Sequence, residues 1–221
     1  MPSAVVSGVA SGIGRALAEG FLEAGYSVIG VDRAEQGWFA PNFDYVTIDI
    51  RDTGAVARFG AGLESLDVLV NAAGVIRRGR EHEVEVFEEV IDINLTGSMR
   101  LATACHMALA ENGGAVINTA SMLSFFGGGL VPAYSASKGG IATLTKSLAI
   151  AWAKDNIRVN AIAPGWIATP LTQALQDDGA RSRVILERTP MARWGTPADL
   201  VGPALFLAGD AARFVTGVVL P

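Results

Sequence analysis

Short runs of apolar, β-branched residues alternate with longer helical patterns along the whole chain. The runs are almost continuously apolar, which is typical of strands covered by helices on both faces of a parallel sheet. Right-handed β-α-β crossovers between such strands give a doubly wound α/β sheet of about seven strands. The predicted strands are residues 4–9, 27–32, 45–49, 67–71, 115–121, 157–163 and 215–220.

Helical patterns fill the segments between these strands. The predicted helices are residues 12–24, 83–110 with a break near Gly97, 135–154, 170–188 and 197–207. The chain of 221 residues has no repeat, low-complexity segment or linker. We therefore expect one domain over residues 1–221, with a substrate lid at roughly 166–195.

Charge and composition exclude several classes of protein. The net charge is −5 and no basic run stands out, which argues against a nucleic-acid partner. No apolar stretch reaches the roughly 18–20 residues that cross a bilayer. The N-terminal apolar run lacks a preceding basic region, so we expect no signal peptide, no membrane partner and a cytoplasmic location. The single cysteine, Cys105, cannot form an internal disulfide, and His82 and His106 lack metal-ligand spacing.

A glycine-rich turn, Ser-Gly-Val-Ala-Ser-Gly-Ile-Gly at residues 7–14, follows the first predicted strand and opens the first helix. Glycines let the backbone approach a bulky anion, and the helix N-terminus offers free N–H groups to a pyrophosphate. The alternative is a loop that only turns the chain. Asp32 ends the second strand, 18 residues after Gly14. Such a carboxylate can bind the adenosine ribose hydroxyls and repel a 2′-phosphate, although a solvated strand-end acid is the simpler alternative.

Together, the turn and the acid predict a Rossmann-type dinucleotide site that takes NAD rather than NADP. Arg33 favours NADP instead, because a guanidinium beside Asp32 could bind a 2′-phosphate.

Tyr134 and Lys138 are four residues apart at the start of a predicted helix, so they share one face. A free tyrosine has a pKa of about 10, and a nearby ammonium lowers it by stabilising the phenolate. The pair could therefore move a proton to or from a substrate oxygen. An ordinary amphipathic turn is the alternative interpretation.

The order and spacing of these motifs resemble the classical short-chain dehydrogenase/reductase (SDR) family over essentially the whole chain. Ser7 stands where that family has Thr, and Asn-Ala-Ala-Gly at residues 71–74 stands where it has Asn-Asn-Ala-Gly. Ser121 lies 13 residues before Tyr134, as the family's catalytic serine does. Asn94 and the Pro-Gly-Trp-Ile-Ala-Thr segment at 164–169 also match family motifs.

The resemblance implies a nicotinamide-dependent oxidoreductase with four catalytic residues. Tyr134 is then the general acid/base, and Lys138 lowers its pKa and holds the nicotinamide ribose. Ser121 hydrogen-bonds the substrate oxygen, and the backbone of Asn94 holds a water that connects Lys138 to solvent. The residues implied in cofactor binding are Gly8, Ser11, Gly12, Ile13, Gly14, Asp32, Arg33, Asp49, Ile50, Asn71, Ala72, Ala73, Gly74, Tyr134, Lys138, Pro164, Gly165, Ile167 and Thr169.

The substrate is expected to be a small molecule with a hydroxyl or carbonyl group. Arg77 and Arg78 follow the fourth strand, where a guanidinium could bind a carboxylate, although both could equally be solvated surface residues. The segment 69–77 resembles family members that act on sugar acids such as keto-deoxygluconates, and others that oxidise a carboxylated cyclic dihydrodiol. The short connection from Asp32 to Tyr45 leans toward the latter. The predicted substrate-binding residues are Arg77, Ser121, Leu123, Tyr134 and Trp166.

Other functions stay open at this point. Neutral sugars, polyols and a 3-oxoacyl-thioester reductase remain alternatives within the enzyme class. A non-catalytic dinucleotide-binding regulator is the alternative outside it, but such a protein is expected to lose the Tyr, Lys or Ser that this chain retains. The resemblance and the two long apolar helices, 98–110 and 135–154, predict a homo-oligomer, with a tetramer favoured.

Overall fold

The computed structural model describes residues 1–221 and contains one seven-stranded parallel sheet, ordered β3-β2-β1-β4-β5-β6-β7. The strands are β1 (Ser3–Ser7), β2 (Ser27–Asp32), β3 (Phe43–Thr47), β4 (Val68–Asn71), β5 (Ala115–Thr119), β6 (Arg158–Ile162) and β7 (Val219–Leu220). The chain runs outward from β1 in one direction and then from β4 in the other. The strand order therefore reverses between β1 and β4, and ligands of such sheets bind beyond the strand ends at this reversal.

The structure contains eight α-helices. They are α1 (Gly12–Glu23), α2 (Thr53–Ala61), α3 (Val84–Ile91), α4 (Gly97–Asn112), α5 (Pro132–Trp152), α6 (Gln173–Gln176), α7 (Gly179–Glu187) and α8 (Val201–Ala208). The side chains of α1 and α8 pack on one face, and those of α2, α4 and α5 pack on the other. This arrangement confirms the predicted doubly wound, Rossmann-type fold.

Alternation along each strand explains why the strands are continuously apolar. Val5 belongs to the core on the α4 and α5 face, whereas its neighbour Val6 belongs to the core on the α1 and α8 face. Leu69 and Val70 of β4 divide in the same way. All four side chains are fully buried, and burying each one stabilises the fold by about 1.5–3 kcal/mol.

In the first half of the chain the helices differ from the prediction in two places. Helix α2 was not predicted; Asp52 caps it by accepting the Ala55 N–H at 2.9 Å, and Gly60 lets it pack closely on α4. A Cβ at Gly60 would lie 2.3 Å from the Ala104 carbonyl oxygen, so this contact depends on a partner helix that is remote in sequence. The predicted break near Gly97 is instead a π-helical turn, Asp92–Thr96, that joins α3 to α4 without interruption.

The C-terminal third also differs from expectation. The single helix predicted over residues 170–188 is a 3₁₀ turn, Pro170–Thr172, followed by the short helices α6 and α7. The last strand, predicted over 215–220, contains only Val219–Leu220. None of the helices combines the length and the hydropathy that crossing a membrane requires.

Candidate active site

A cavity of about 530 Å³ opens along the C-terminal ends of β1, β2 and β4. This is the edge of the sheet where the strand order reverses. The cavity wall contains fifteen of the residues predicted to hold a cofactor: Gly8, Ser11, Gly12, Ile13, Gly14, Asp32, Arg33, Asp49, Ile50, Ala72, Ala73, Gly74, Tyr134, Lys138 and Thr169.

The turn after β1 can be built only with glycine at two of its positions. Gly8 has a φ of +78°, and a Cβ there would lie 2.8 Å from the Ala73 Cα. A Cβ at Gly14 would lie 2.2 Å from the carbonyl oxygen of Gly8. The first turn of α1 holds no acidic residue, so the positive end of its dipole faces the cavity uncompensated. This cradle fits the pyrophosphate of a dinucleotide.

Ser7 connects the glycine turn to the loop after β4. Its Oγ accepts the N–H groups of Ala72 at 3.1 Å and Ala73 at 3.2 Å, and donates to the Val70 carbonyl at 3.4 Å. A hydroxyl is sufficient for these bonds, which is why Ser can stand where the family has Thr.

Asp32 lies in the cavity wall at the end of β2. Its carboxylate accepts the backbone N–H groups of Ala10 and Ala34, both at 3.0 Å. These two bonds fix the carboxylate while leaving lone pairs for ribose hydroxyls. Arg33 lies in the same wall, so a negative and a positive group both border this end of the cavity.

The β2–β3 connection contains no helix, and Trp38 covers the sheet in its place. The Trp38 indole stacks on Phe43 with ring centroids 3.9 Å apart, and its Nε1 donates to the Val9 carbonyl at 3.0 Å. The short connection noted in the sequence is thereby packed against the glycine turn.

Asp49 and Ile50 follow β3 and complete this end of the cavity. The Arg51 guanidinium hydrogen-bonds the Asp49 carboxylate and holds the pKa of Asp49 below its ordinary value. Asp49 is therefore a neutralised acid, unlike Asp32.

Tyr134 and Lys138 lie on one face of α5, with the Lys138 Nζ 5.6 Å from the centroid of the Tyr134 ring. The Nζ donates to the Thr119 carbonyl at 2.6 Å. Only 4% of Lys138 is exposed, and this burial lowers the pKa of its ammonium to about 8.

The pKa of Tyr134 lies above its ordinary value, although its spacing from Lys138 predicted a lowered pKa. Burial is the main cause, because it disfavours the charged phenolate. A hydrogen bond from Ser121 acts in the opposite direction, and the Glu81 carboxylate raises the pKa further. Burial and the Glu81 charge therefore both favour the protonated phenol.

Ser121 begins a 3₁₀ turn, Met122–Ser124, directly after β5. Its Oγ accepts the Leu123 N–H at 3.1 Å, and the Ser124 Oγ accepts the Ser121 N–H at 3.2 Å. The Ser124 Oγ also donates to the Lys138 carbonyl at 2.6 Å. One short turn thus fixes both Ser121 and the helix that carries Lys138.

Asn94 lies in the π-helical turn and is fully buried. Its amide pairs with both backbone groups of Val75, at 2.8 and 2.9 Å, and donates to the Ser137 Oγ at 3.1 Å. The backbone carbonyl of Asn94 accepts the Ser98 hydroxyl at 2.9 Å. The side chain therefore fixes the loop after β4, and the backbone water expected here stays a prediction.

Four residues predicted to bind the cofactor lie outside the cavity wall: Asn71, Pro164, Gly165 and Ile167. The Asn71 amide is buried and donates to Asn118 Oδ1 at 2.9 Å, because its side chain faces the core rather than the cavity. Ile167 pairs with Gly195, and the Trp166 ring meets the Trp194 ring edge-on with centroids 5.9 Å apart. These contacts close the base of the segment 166–195.

The two arginines after β4 differ in their surroundings. The Arg77 guanidinium pairs with Glu89 at 2.9 Å and lies outside the cavity wall, because the acid on α3 holds it there. Arg78 is exposed, also lies outside the cavity wall and forms no ion pair. The predicted carboxylate fork at Arg77 is therefore already occupied by a carboxylate of the protein.

Sequence reasoning missed Glu81 and Thr119. Glu81 is 1% exposed and accepts the Tyr134 N–H at 2.7 Å. The Thr119 Oγ1 is buried in the cavity wall without a hydrogen-bond partner in the protein, which fits a polar ligand group beside it. Neither residue stands in a recognisable pattern, and only the partners that folding brings close reveal them.

Known proteins match this chain over nearly its whole length. A family model described as enoyl-(acyl carrier protein) reductase matches residues 8–221. The 2-dehydro-3-deoxy-D-gluconate 5-dehydrogenase of Escherichia coli is 41% identical over 236 residues, spanning 98% of this chain and 92% of that protein.

Solved structures match equally well. The gluconate 5-dehydrogenase of Burkholderia cenocepacia, in complex with NADP and tartrate, is 33% identical with a TM-score of 0.90, covering 99% of this chain and 92% of that one. A 4-hydroxyisoleucine dehydrogenase complexed with NADH is 31% identical with a TM-score of 0.93, covering 100% and 96%.

The fold, the glycine cradle and the Tyr134–Lys138 pair define a nicotinamide-dependent oxidoreductase. The chain belongs to the short-chain dehydrogenase/reductase family, as its motifs predicted. It is an enzyme that interconverts a CH–OH group and a carbonyl on a small molecule.

Proposed function

We propose that this enzyme acts on a sugar acid, with Tyr134 as the general acid/base. The observation that carries the proposal is the meeting of the Tyr134 phenol, the Ser121 hydroxyl and the Lys138 ammonium beside the glycine cradle. The relatives that act on gluconate and on a deoxygluconate support the substrate class. A bound nicotinamide would accept or donate the hydride at the carbon that carries the reacting oxygen.

The protein's own residues manage the proton and the charge on that oxygen. Tyr134 is protonated at neutral pH, so it is ready to donate a proton to a substrate carbonyl. Ser121 donates a hydrogen bond to the same oxygen as negative charge develops there. The Lys138 ammonium stabilises the phenolate that remains, and Asn94 holds the loop that borders them.

We propose NAD as the preferred nicotinamide cofactor. The fixed Asp32 carboxylate supports this preference, because its charge repels a 2′-phosphate. Arg33 in the same wall and the NADP held by the Burkholderia relative argue for the other cofactor. The relative that holds NADH shows that this fold accommodates either one.

For the substrate carboxylate, Arg78 is the better candidate of the two arginines. Its guanidinium is free of ion pairs, whereas Arg77 already pairs with Glu89. We expect Arg78→Ala to lower the preference for an acid over its amide, with Arg77→Ala as the matched comparison.

The remaining proposals concern the molecule around the site. We propose one domain over residues 1–221, in which 166–195 is a lid, since Ile167 pairs with Gly195 and closes its base. The single, buried Cys105 suits a reducing compartment such as the cytoplasm. A homotetramer is the proposed assembly.

The test is a substrate panel assayed by NADH absorbance: 2-dehydro-3-deoxy-D-gluconate, 5-keto-D-gluconate, a neutral polyol and an acetoacetyl thioester. We expect kcat/KM for a sugar acid to exceed the others at least about tenfold. Tyr134→Phe should reduce kcat to below a few per cent of the wild-type value. NADH affinity, measured by fluorescence, should stay unchanged.

Two results would contradict the proposal in different ways. A higher kcat/KM for the thioester would indicate a 3-oxoacyl-thioester reductase. NADH binding without turnover of any compound would indicate a dinucleotide-binding regulator.

A further inference from the structure

Glu81 is the one acidic side chain among the fully buried residues, and no cation pairs with it. Its two carboxylate oxygens accept one backbone N–H each, from Arg77 at 2.8 Å and from Tyr134 at 2.7 Å. A buried carboxylate without partners is strongly unfavourable, so these two bonds are what make this position tolerable.

The Tyr134 end of this contact lies at an otherwise uncapped helix terminus. Tyr134 is the third residue of α5, where backbone N–H groups have no partner inside the helix. Val131, the residue before the helix, supplies no side-chain cap, and the first turn holds no acid. Glu81, 53 residues earlier in the chain, therefore caps α5 from outside.

The carbonyl of Tyr134 is held as well. The Ser137 Oγ donates to it at 2.7 Å, and Asn94 donates to that same Oγ at 3.1 Å. Both backbone groups of Tyr134 are thus fixed by buried side chains, one from the loop after β4 and one from α5 itself.

We propose that Glu81 is a positioning residue that holds Tyr134 in register with Ser121 and Lys138 through its backbone N–H. The inference rests on the proposed acid/base role of Tyr134. Glu81 and Lys138 are the charged groups that face the phenol, and the Glu81 charge raises the pKa of Tyr134. Glu81 therefore fixes the position of the acid and helps to keep it protonated.

A carboxylate is required at this position because it faces two donors. Glutamine offers one acceptor and one NH₂ group, so one of the two backbone N–H groups would face another donor. Glu81→Gln removes the charge and one hydrogen bond at nearly constant volume. Glu81→Asp keeps both acceptors and the charge but shortens the reach.

The experiment compares Glu81→Gln with Glu83→Gln, whose exposed side chain pairs only with Arg80. In the reduction direction we expect Glu81→Gln to lower kcat at least about tenfold, with KM and NADH affinity within about threefold. The pH at which activity is lost by phenol deprotonation should move lower, because a facing negative charge is gone. Glu81→Asp should keep that pH near the wild-type value, and Glu83→Gln should match wild type throughout.

The outcomes separate this inference from the proposed function. Wild-type kcat and an unchanged pH profile in Glu81→Gln would overturn the positioning role. The positioning role would also be overturned if kcat fell only in proportion to the fraction of the Glu81→Gln protein that cannot bind NADH. Such a loss would reflect a folding defect. If Tyr134→Phe remains active, the proposed function itself fails, whatever Glu81 does.

Discussion

At the scale of single residues, burial acts on the Tyr134–Lys138 pair by disfavouring charge on both members. It raises the pKa of the phenol and lowers that of the ammonium to about 8. The four-residue spacing was enough to predict that the two share a helix face. The direction of the tyrosine shift could not be predicted, because it depends on Glu81 and on how deeply the ring is enclosed.

The buried Lys138 predicts a stability that rises with pH. Its pKa is about 8 in the folded protein and 10.5 in its ordinary state. Between these values the unfolded chain binds more protons, so the free energy of unfolding increases with pH across that window, by up to about 3 kcal/mol. Urea unfolding at pH 7.5 and 9.5 measures the change. In Lys138→Met, the free energy of unfolding should increase less between these two pH values than in wild type.

Lys146→Met is the control for this measurement, because Lys146 is exposed on the same helix. It should follow the wild-type pH dependence. Parallel curves for wild type and Lys138→Met would show that Lys138 does not titrate in the folded state within this range.

Cofactor choice is also decided by single residues. Asp32→Asn keeps one acceptor for the backbone N–H groups of Ala10 and Ala34 but removes the charge that repels a 2′-phosphate. We expect the ratio of kcat/KM for NAD to that for NADP to fall at least about tenfold. Steady-state kinetics with both cofactors measures it.

Asp49→Asn is the matched control, since this carboxylate borders the same cavity but is neutralised by Arg51. Its NAD-to-NADP ratio should stay within about threefold of wild type. A wild-type enzyme that uses both cofactors equally well would contradict the role given to Asp32.

At the scale of elements, the prediction succeeded where one segment carries its own signal. The turn at residues 7–14 holds its glycines where the backbone requires them, and every predicted strand exists. Helix α2 was missed because its position depends on the close approach of Gly60 to Ala104 on α4. The final strand was overestimated because Thr216 and Gly217, which has a φ of +77°, interrupt the apolar run, and only Val219 and Leu220 are in register with β6.

The glycine turn gives a prediction that belongs to this scale. Gly14→Ala would place a Cβ 2.2 Å from the Gly8 carbonyl oxygen, so the turn must open and its N–H groups must move. We expect NADH affinity to fall at least tenfold, which corresponds to about 1.4 kcal/mol. Fluorescence titration with NADH measures the change.

Gly54→Ala provides the comparison on a different helix. Its nearest atom would be the flexible end of Arg58, at 3.3 Å, in the first turn of α2. This substitution should leave NADH affinity unchanged and stabilise the helix slightly. Wild-type NADH affinity in Gly14→Ala would show that the cofactor does not depend on the closed turn.

At the scale of the whole molecule, two of the regions that expose large apolar side chains lie on packed helices or at the last strand. One lies on α4 and α5, where Met107 is 77% and Ile150 is 81% exposed. The other lies beside β7 and α8, where Phe214 is fully exposed and Phe206 is 44% exposed. A tetramer with three two-fold axes needs at least two distinct self-complementary interfaces, and this chain offers two surfaces for them.

We therefore expect a tetramer that dissociates into dimers when a charge is introduced on either surface. Ile150→Glu should produce a dimer by placing like charges across one two-fold axis, and Phe214→Glu should do the same across another. The double variant should be a monomer. Light scattering at micromolar concentration measures the mass of each.

Phe39→Glu is the control, because Phe39 is 81% exposed on the β2–β3 connection, which contributes to neither surface as defined. Its mass should equal that of wild type. A monomeric wild type would contradict the tetramer. A dimeric wild type that dissociates with only one of the two substitutions would show that the assembly has a single interface. Because each variant changes one surface alone, the mass of each variant shows whether an interface forms at α4 and α5 or at α8 and β7.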